Sequence, residues 1–154
     1  MPMKLLPLLG KFDNLASWLQ SPLLLVVRLF WGWQFVMDGW GKLHHLDKVT
    51  AYFTELGLPM PRLSAIMTGS IESVGGVLLA IGLFARPVSV PLLCTMIGAY
   101  ATAERESVRV LFSDPDKFLS ADPFHYLFAA VIVLAFGPGK LSVDHLFGGK
   151  KSAS

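Results

Sequence analysis

The sequence predicts an all-α integral membrane protein, a four-helix bundle with short helices at the membrane interface. Of its 154 residues, 53% are hydrophobic and 16% are charged, whereas soluble domains carry roughly 25% charged residues. Long apolar segments, separated by proline and glycine, have the length that crosses a bilayer. The charges are too few to cover a water-facing surface. The net charge of +2, without a long basic run, argues against a nucleic-acid partner.

The N-terminal residues 1–21 are predicted to form an amphipathic segment that lies in the membrane interface. Apolar residues recur every three or four positions and make one helical stripe: Leu5, Leu8, Phe12, Leu15 and Leu19. The alternative is a frayed apolar tail. The first spanning helix then covers 22–41, about 20 residues, which at 1.5 Å each match a hydrocarbon core of ~30 Å.

Three further apolar runs predict the other spanning helices, at 62–84, 87–103 and 123–136. The last run is short for a spanning helix, and Asp122 is expected to cap it. The connection 44–61 predicts a short interfacial helix that stops before Pro59. The membrane domain therefore covers 22–144, and 145–154 form a polar tail.

Four spans place both termini on one side of the membrane. Lysines and arginines are equally numerous on the two sides, so the positive-inside rule does not choose between orientations. The free N-terminal amine and the acid-rich loop 104–122 favour termini in the cytoplasm.

Three ionisable residues lie inside the predicted spans: Arg28, Asp38 and Glu72. Such residues are costly in lipid and normally face other protein. At 100° per residue, Arg28 shares a face with Gly32, Phe35, Gly39 and Lys42. We therefore expect this face of the first span to point into the bundle.

Glu72 lies in a row of small residues on the second span, a pattern that lets helices approach closely: Ala65, Gly69, Ser73, Gly76 and Ala80. Arg28 and Glu72 are predicted to pair, although counting from the span ends separates them by ~9 Å in height. One interpretation is a pair that fixes the packing register. The other is a polar cavity for an anionic or quinone-like ligand, or a proton relay in which Glu72 carries the proton.

Histidine and cysteine give weaker signals. His44, His45 and His125 lie on one predicted side, and one interpretation is a metal, haem or quinone site there. No metal-binding spacing such as HxxxH is present, so the preferred interpretation is interfacial histidines without a metal. Cys94, the single cysteine, lies in an apolar helix and is interpreted as a packing residue.

The sequence resembles the DoxX family of small four-helix membrane proteins. Arg28, Gly32, Gly39 and Lys42 follow one another in the family's order. The second span contains Glu-Ser-Val-Gly-Gly at 72–76, followed by Gly-Leu-Phe-Ala-Arg-Pro. After the fourth span, Gly-Pro-Gly-Lys-Leu-Ser-Val-Asp is similar to the family's closing signature. The resemblance runs from about Leu24 to Asp144.

The resemblance implies a four-helix membrane bundle, in the bacterial inner membrane, and a loose link to redox chemistry. Some relatives are linked to thiosulfate oxidation with quinone as acceptor, others to oxidative-stress complexes with soluble partners. Glu72 and Arg28 are the catalytic candidates. The expected ligand-binding set joins residues that match the family pattern to the interior charges: Arg28, Asp38, Lys42, Glu72, Gly76 and Arg86. Gly75 also matches the pattern.

Two functions follow from these observations. The first is a membrane-bound oxidoreductase component that binds quinone, or haem held by histidine. Because the chain carries neither a CxxC pair nor a flavin or haem-attachment motif, it would act with a protein partner. The alternative is a non-enzymatic membrane anchor, assembly factor or small transporter. A homo-oligomer is equally compatible with the sequence.

Overall fold

The computed structural model describes residues 5–148, with side chains placed from residue 18 onward. Every regular element in this range is an α-helix, which confirms the all-α prediction for the described residues. The helices are α1 (Leu5–His44), α2 (Leu46–Glu55), α3 (Pro61–Ile81), α4 (Ala85–Thr102), α5 (Arg105–Arg109), α6 (Pro115–Leu119), α7 (Asp122–Phe136) and α8 (Val143–Gly148).

The helix α1 is continuous over 40 residues and runs through Pro22. The predicted segment 1–21 and the first span therefore form one helix from Leu5 onward. The location of this segment in the interface stays a prediction, and residues 1–4 lie outside the described range. The predicted tail 145–154 begins within α8, and 149–154 also lie outside that range.

Local sequence signals set most helix ends close to their predicted positions. The short helix predicted in the connection is α2, and its location at the membrane interface stays a prediction. Pro61 opens α3 as its first residue. Gly82, with a φ of 71°, ends α3 in the left-handed conformation that glycine adopts readily. The corner to α4 is thus a few residues earlier than the predicted boundary between the runs 62–84 and 87–103. Asp122 is the first residue of α7 rather than its cap, because the chain before it is extended at Ala121.

The core lies where α1, α3, α4 and α7 meet. Phe35, Leu79, Leu92 and Val133, one from each of these helices, are fully buried. The predicted inward face of α1 is confirmed: Arg28, Gly32, Phe35 and Gly39 are all buried. On α3, the buried residues include Ala65, Gly69, Glu72 and Gly76, as the row of small residues predicted.

From residue 18 onward, the outer face of α1 is apolar and exposed. Its large exposed residues recur at steps of three or four, apart from the adjacent Leu29 and Phe30: Leu19, Leu23, Val26, Leu29, Phe30, Trp33, Met37 and Trp40. Soluble proteins seldom expose so long an apolar stripe. By length and composition, α3 is the one helix of residues 5–148 that is long and apolar enough to cross a membrane, and α7 is apolar but shorter.

Candidate ligand cavity and buried polar clusters

The contact between α1 and α3 depends on glycines that leave no room for a side chain. A Cβ atom on Gly39 would lie 2.5 Å from the backbone nitrogen of Ser73, and one on Gly76 would lie 2.6 Å from the carbonyl oxygen of Gly32. The two antiparallel backbones therefore touch, and this contact fixes their register. It places Arg28 beside Gly82, whereas Asp38 and Lys42 lie beside Glu72.

The predicted pair between Arg28 and Glu72 is therefore wrong. In the observed register Arg28 lies level with Gly82, ten residues along α3 from Glu72, which corresponds to roughly 15 Å along the helix axis. Counting from the span ends misjudged the offset because α1, with 40 residues, extends past α3, with 21, so the ends of the two helices do not lie level.

Glu72 instead pairs with Lys42. The Lys42 ammonium donates a hydrogen bond to Oε2 of Glu72, and the two form a salt bridge. The Glu72 side chain is 1% exposed, whereas that of Lys42 is 28% exposed. The carboxylate is thus enclosed between α1 and α3, and the lysine connects it to the more open space beside it.

A second polar pair lies next to the first. The Tyr126 hydroxyl on α7 donates a hydrogen bond to Oδ2 of Asp38 on α1. The Tyr126 ring packs edge-on against Phe35 at 4.8 Å and against Trp31 at 5.3 Å between ring centroids. The aromatic contacts hold the hydroxyl at the carboxylate, so three helices converge on one polar cluster, which we call the Lys42–Glu72/Asp38–Tyr126 cluster.

This cluster lines a partly open cavity of about 810 Å³. The walls come from α2, α3, α4, the C-terminal half of α1 and the start of α7. Most lining residues are apolar, among them Phe53, Leu56, Met67, Ile71 and Met96. A cavity of this size, with apolar walls and a few convergent polar groups, is typical of a small-molecule site.

The cavity is acidic. Four carboxylates line it, those of Asp38, Glu72, Glu104 and Asp122, against one ammonium, that of Lys42. Glu104 accepts a hydrogen bond from the Ser107 hydroxyl at 2.7 Å. Within residues 18–148 the two salt bridges are Lys42–Glu72 and Lys117–Glu106, and the second lies outside the cavity.

Arg28 occupies the opposite end of the bundle. Its guanidinium is fully buried and donates to the carbonyl oxygen of Leu141. Asp144, from the same C-terminal segment, accepts hydrogen bonds from the backbone N–H groups of Phe84 and Ala85 at 2.8 and 3.0 Å. The closing Gly-Pro-Gly-Lys-Leu-Ser-Val-Asp segment is therefore fastened to α1 and to the start of α4.

Arg86 also lies at this end. It donates to the carbonyl oxygen of Ala135 at 3.3 Å, near the C-terminus of α7, and Gly137 leaves space for its guanidinium. A smaller pocket of about 430 Å³ adjoins Arg86 and His145.

The predicted ligand-binding set thus divides into three groups. Asp38, Lys42 and Glu72 line the large cavity, and Gly76 makes the helix contact. Arg28 and Arg86 belong to the far end. The set does not form one site, because the register of α1 against α3 places the two arginines at the opposite end of the bundle from Lys42 and the two carboxylates. Ligand binding by its members stays a prediction.

The three histidines do not converge. His44 packs on Trp40, with ring centroids 4.1 Å apart, and His125 stacks on Trp31 at 5.8 Å. Nδ1 of His45 contacts the carbonyl oxygen of Gly41. No group of three or more His, Cys, Asp or Glu side chains able to hold a metal occurs in the described part of the chain.

Sequence reasoning did not single out two lining residues. Tyr126 joins the polar cluster, and Cys94, interpreted as a packing residue, is exposed on the cavity wall. The available signal for Tyr126 was a hydroxyl at the start of an otherwise apolar run. Cys94 gave none, because the face of α4 that borders the cavity depends on how the helices pack against one another.

Exposed apolar helix faces around an inward polar cluster define the class as a small helical membrane protein. Its family follows from comparison. The family model described as DoxX matches residues 23–105, more than half of the chain, and the chain belongs to the DoxX family. This confirms the resemblance noted in the sequence. No solved structure matches the chain significantly.

Three curated relatives are similar to the chain. An uncharacterized membrane protein of Mycobacterium tuberculosis is 27% identical over 144 residues, covering 86% of this chain and 85% of that protein. CatD of Bacillus subtilis is 28% identical over 130 residues, covering 84% of this chain and 91% of CatD. CatD is provisionally named an oxidoreductase. The inner membrane protein YphA of Escherichia coli is 33% identical over 76 residues, covering 49% of this chain and 54% of YphA.

Proposed function

We propose that α1, α3, α4 and α7 cross the bacterial inner membrane as a four-helix bundle with both termini in the cytoplasm. The exposed apolar stripe on α1 supports lipid contact, and the name of YphA places that relative in an inner membrane. The cavity end then faces away from the cytoplasm.

The test of this orientation uses Asp47→Cys, on the exposed part of α2, in a Cys94→Ser background. A membrane-impermeant thiol reagent labels it in spheroplasts if this orientation is right, and only after lysis if it is reversed.

We further propose that the 810 Å³ cavity binds a quinone and that the chain is the quinone-binding subunit of a membrane oxidoreductase complex. The single observation that carries this proposal is the cavity itself, with the Lys42–Glu72/Asp38–Tyr126 cluster on an otherwise apolar wall. A quinone needs apolar walls for its ring and tail. It also needs hydrogen-bonding groups for its two carbonyl oxygens.

The chemistry asked of these residues is proton handling. Reduction of a quinone to a quinol takes up two electrons and two protons. Lys42 has three N–H donors, one of which Glu72 accepts, so the others suit the quinone oxygens. Glu72 and Asp38 are carboxylates that hold and exchange protons, and Tyr126 donates its one O–H to Asp38 and holds that carboxylate in place. The electrons come from a redox centre on a partner protein. The provisional name of CatD is in keeping with this class of reaction.

Cys94 provides a direct test, because it is the single cysteine of the chain and lines the cavity. The probe is decylubiquinone, whose fully substituted ring does not alkylate thiols. We expect it to slow the reaction of Cys94 with N-ethylmaleimide in detergent-solubilised protein, in a saturable manner. Ile97→Cys in a Cys94→Ser background is the matched control, since position 97 is on the exposed outer part of α4 and does not line the cavity.

Equal rates of Cys94 labelling with and without decylubiquinone would contradict the proposal. Protection of both positions would indicate general partition into the micelle. The Glu72→Gln and Tyr126→Phe variants add the chemical part of the test. Both are expected to weaken protection, and a partner-coupled quinone reductase assay is expected to lose activity more than the protein loses thermal stability.

A further inference from the structure

We infer that the large cavity selects a hydrophobic cation over an anion of the same shape. This inference concerns the same cavity as the proposed function and rests on that cavity admitting ligands. It goes further because it assigns the charge of the molecules that can enter, which quinone binding leaves open.

The charged side chains of the cavity wall are mostly carboxylates. Lys42 is the single lining ammonium, and its salt bridge to Glu72 neutralises it. Three carboxylates are then left: those of Asp38, Glu104 and Asp122. Their hydrogen-bond partners in the structure are neutral hydroxyls, from Tyr126 for Asp38 and from Ser107 for Glu104. A ligand in the cavity therefore meets an excess of negative charge.

Apolar side chains make up most of the cavity wall, so the effective dielectric constant around the carboxylates is lower than in water. The Coulomb energy of a charge pair is therefore larger in the cavity than in water. An anion would be repelled by three carboxylates with no free ammonium to compensate. A cation would be attracted by the same groups at no cost to the Lys42–Glu72 salt bridge.

Three aromatic rings also line the cavity, those of Tyr52, Phe53 and Tyr126. Aromatic faces attract cations through the ring quadrupole and also pack against apolar substituents. Carboxylates, aromatic rings and aliphatic side chains together suit a cation whose charge is surrounded by apolar groups. The cavity thus does not suit a small inorganic anion.

A pair of probes isolates the sign of the charge. Tetraphenylphosphonium and tetraphenylborate have nearly the same size and shape and carry opposite charges. We expect tetraphenylphosphonium to protect Cys94 from N-ethylmaleimide in dodecyl maltoside micelles, at a concentration at least about tenfold lower than tetraphenylborate needs. Ile97→Cys in the Cys94→Ser background corrects for the different partition of the two ions into the micelle.

Charge-neutralising variants test the origin of the selectivity. The double variant Glu104→Gln/Asp122→Asn removes two carboxylates of the wall, of which that of Glu104 is half-buried and that of Asp122 is exposed. The Lys42–Glu72 pair is kept. The preference for the phosphonium ion is expected to fall by about tenfold. The matched control is Asp114→Asn/Asp116→Asn, which removes two carboxylates outside the cavity in the same loop region and is expected to leave the preference unchanged.

Equal protection by both ions, stronger protection by the borate, or no protection by the phosphonium ion would each overturn the inference. So would an equal loss of preference in the control double variant. Decylubiquinone separates this result from the proposed function. Protection by the quinone without protection by the phosphonium ion leaves the proposed function standing, whereas the reverse result supports cation selectivity and contradicts quinone binding.

Discussion

The Lys42 ammonium near the end of α1 donates a hydrogen bond to the carboxylate of Glu72 in the middle of α3. The two partners differ in exposure, because 28% of the Lys42 side chain and 1% of the Glu72 side chain are accessible. Breaking a buried ion pair leaves the remaining charge uncompensated, at a cost of about 3–5 kcal/mol. The cost should therefore depend on which partner is removed.

We expect Lys42→Met to destabilise the protein more than Glu72→Gln. The first variant leaves an enclosed carboxylate without its cation, whereas the second leaves an ammonium that can reach the cavity. The difference is expected to be about 2 kcal/mol, measured as denaturant-induced unfolding in detergent.

The double variant Lys42→Met/Glu72→Gln provides the control for this pair. It is expected to be more stable than Lys42→Met alone, because interacting residues deviate from additivity. Additive losses, or equal losses from the two single variants, would show that the salt bridge does not set the stability of this region.

The glycine contact between α1 and α3 gives a second prediction. Gly39→Ala places a methyl group 2.5 Å from the backbone nitrogen of Ser73, so the helices must separate. We expect a loss of about 1–3 kcal/mol or more, as for other overpacked sites. Gly41→Ala in the same helix is the matched control, because a Cβ there meets nothing within 4 Å. This control should be neutral or up to ~1 kcal/mol stabilising through helix propensity.

The third prediction concerns Gly82 and its close contact with Arg28. Its φ is 71°, and a Cβ at this position would lie 1.6 Å from Nη1 of Arg28. Gly82→Ala should therefore carry the cost of a left-handed backbone, roughly 1–2 kcal/mol, and the cost of steric clashes with the guanidinium and with Cβ of Ser142, 2.7 Å away.

A thermodynamic cycle separates the clash with Arg28 from the other costs. In an Arg28→Met background, Gly82→Ala should cost less, because the guanidinium is absent and only the left-handed backbone and the contact with Ser142 remain. Unfolding free energies of the four proteins check this. The same loss in both backgrounds would mean that Arg28 moves aside freely and that the close approach is of no consequence.

Asp144 gives a fourth prediction, at the end of the bundle away from the cavity. Both of its carboxylate oxygens accept backbone N–H groups at the start of α4. Asp144→Ala is expected to cost about 1–2 kcal/mol, as for the loss of a helix cap. It should also raise hydrogen exchange in residues 137–148. Asp144→Asn retains one acceptor and should lose less.

The control for this cap is Asp47→Ala, in the exposed first turn of α2. Its effect should be a few tenths of a kcal/mol, because a surface charge near a helix N-terminus contributes little. Unchanged exchange in Asp144→Ala would contradict the fastening role assigned to the closing segment. Labelling of Cys94 in this variant should stay normal, since the cap and the cavity are at opposite ends.

The interior faces of the helices could be predicted from the sequence because they depend on local periodicity. Arg28, Gly32, Phe35 and Gly39 share one face of any α-helix, and burial of that face follows from the cost of charge in lipid. The boundary between the second and third apolar runs was predicted from the sequence to within a few residues, since the observed corner is at Gly82 and the runs were placed at 62–84 and 87–103. The family resemblance, carried by short segments from Arg28 to Asp144, was confirmed over residues 23–105.

The partners of the interior charges could not be predicted in the same way. The pairing of Glu72 depends on how far α3 is displaced along α1, and no local pattern encodes that displacement. Backbone contact at the glycines fixes it, which places Lys42 at Glu72 and Arg28 beside Gly82. An error of a few residues in a span end is enough to exchange partners, since each residue moves the helix by 1.5 Å.

The sequence by itself determined the composition suited to lipid, the helices and the side of each helix that turns inward. These are properties of single segments and their periodicity. The tertiary structure alone decided the register of α1 against α3, the separation of Arg28 from Glu72, and the cavity that exposes Cys94. These features arise from contacts between distant segments, where close packing at a few glycines sets every neighbouring distance.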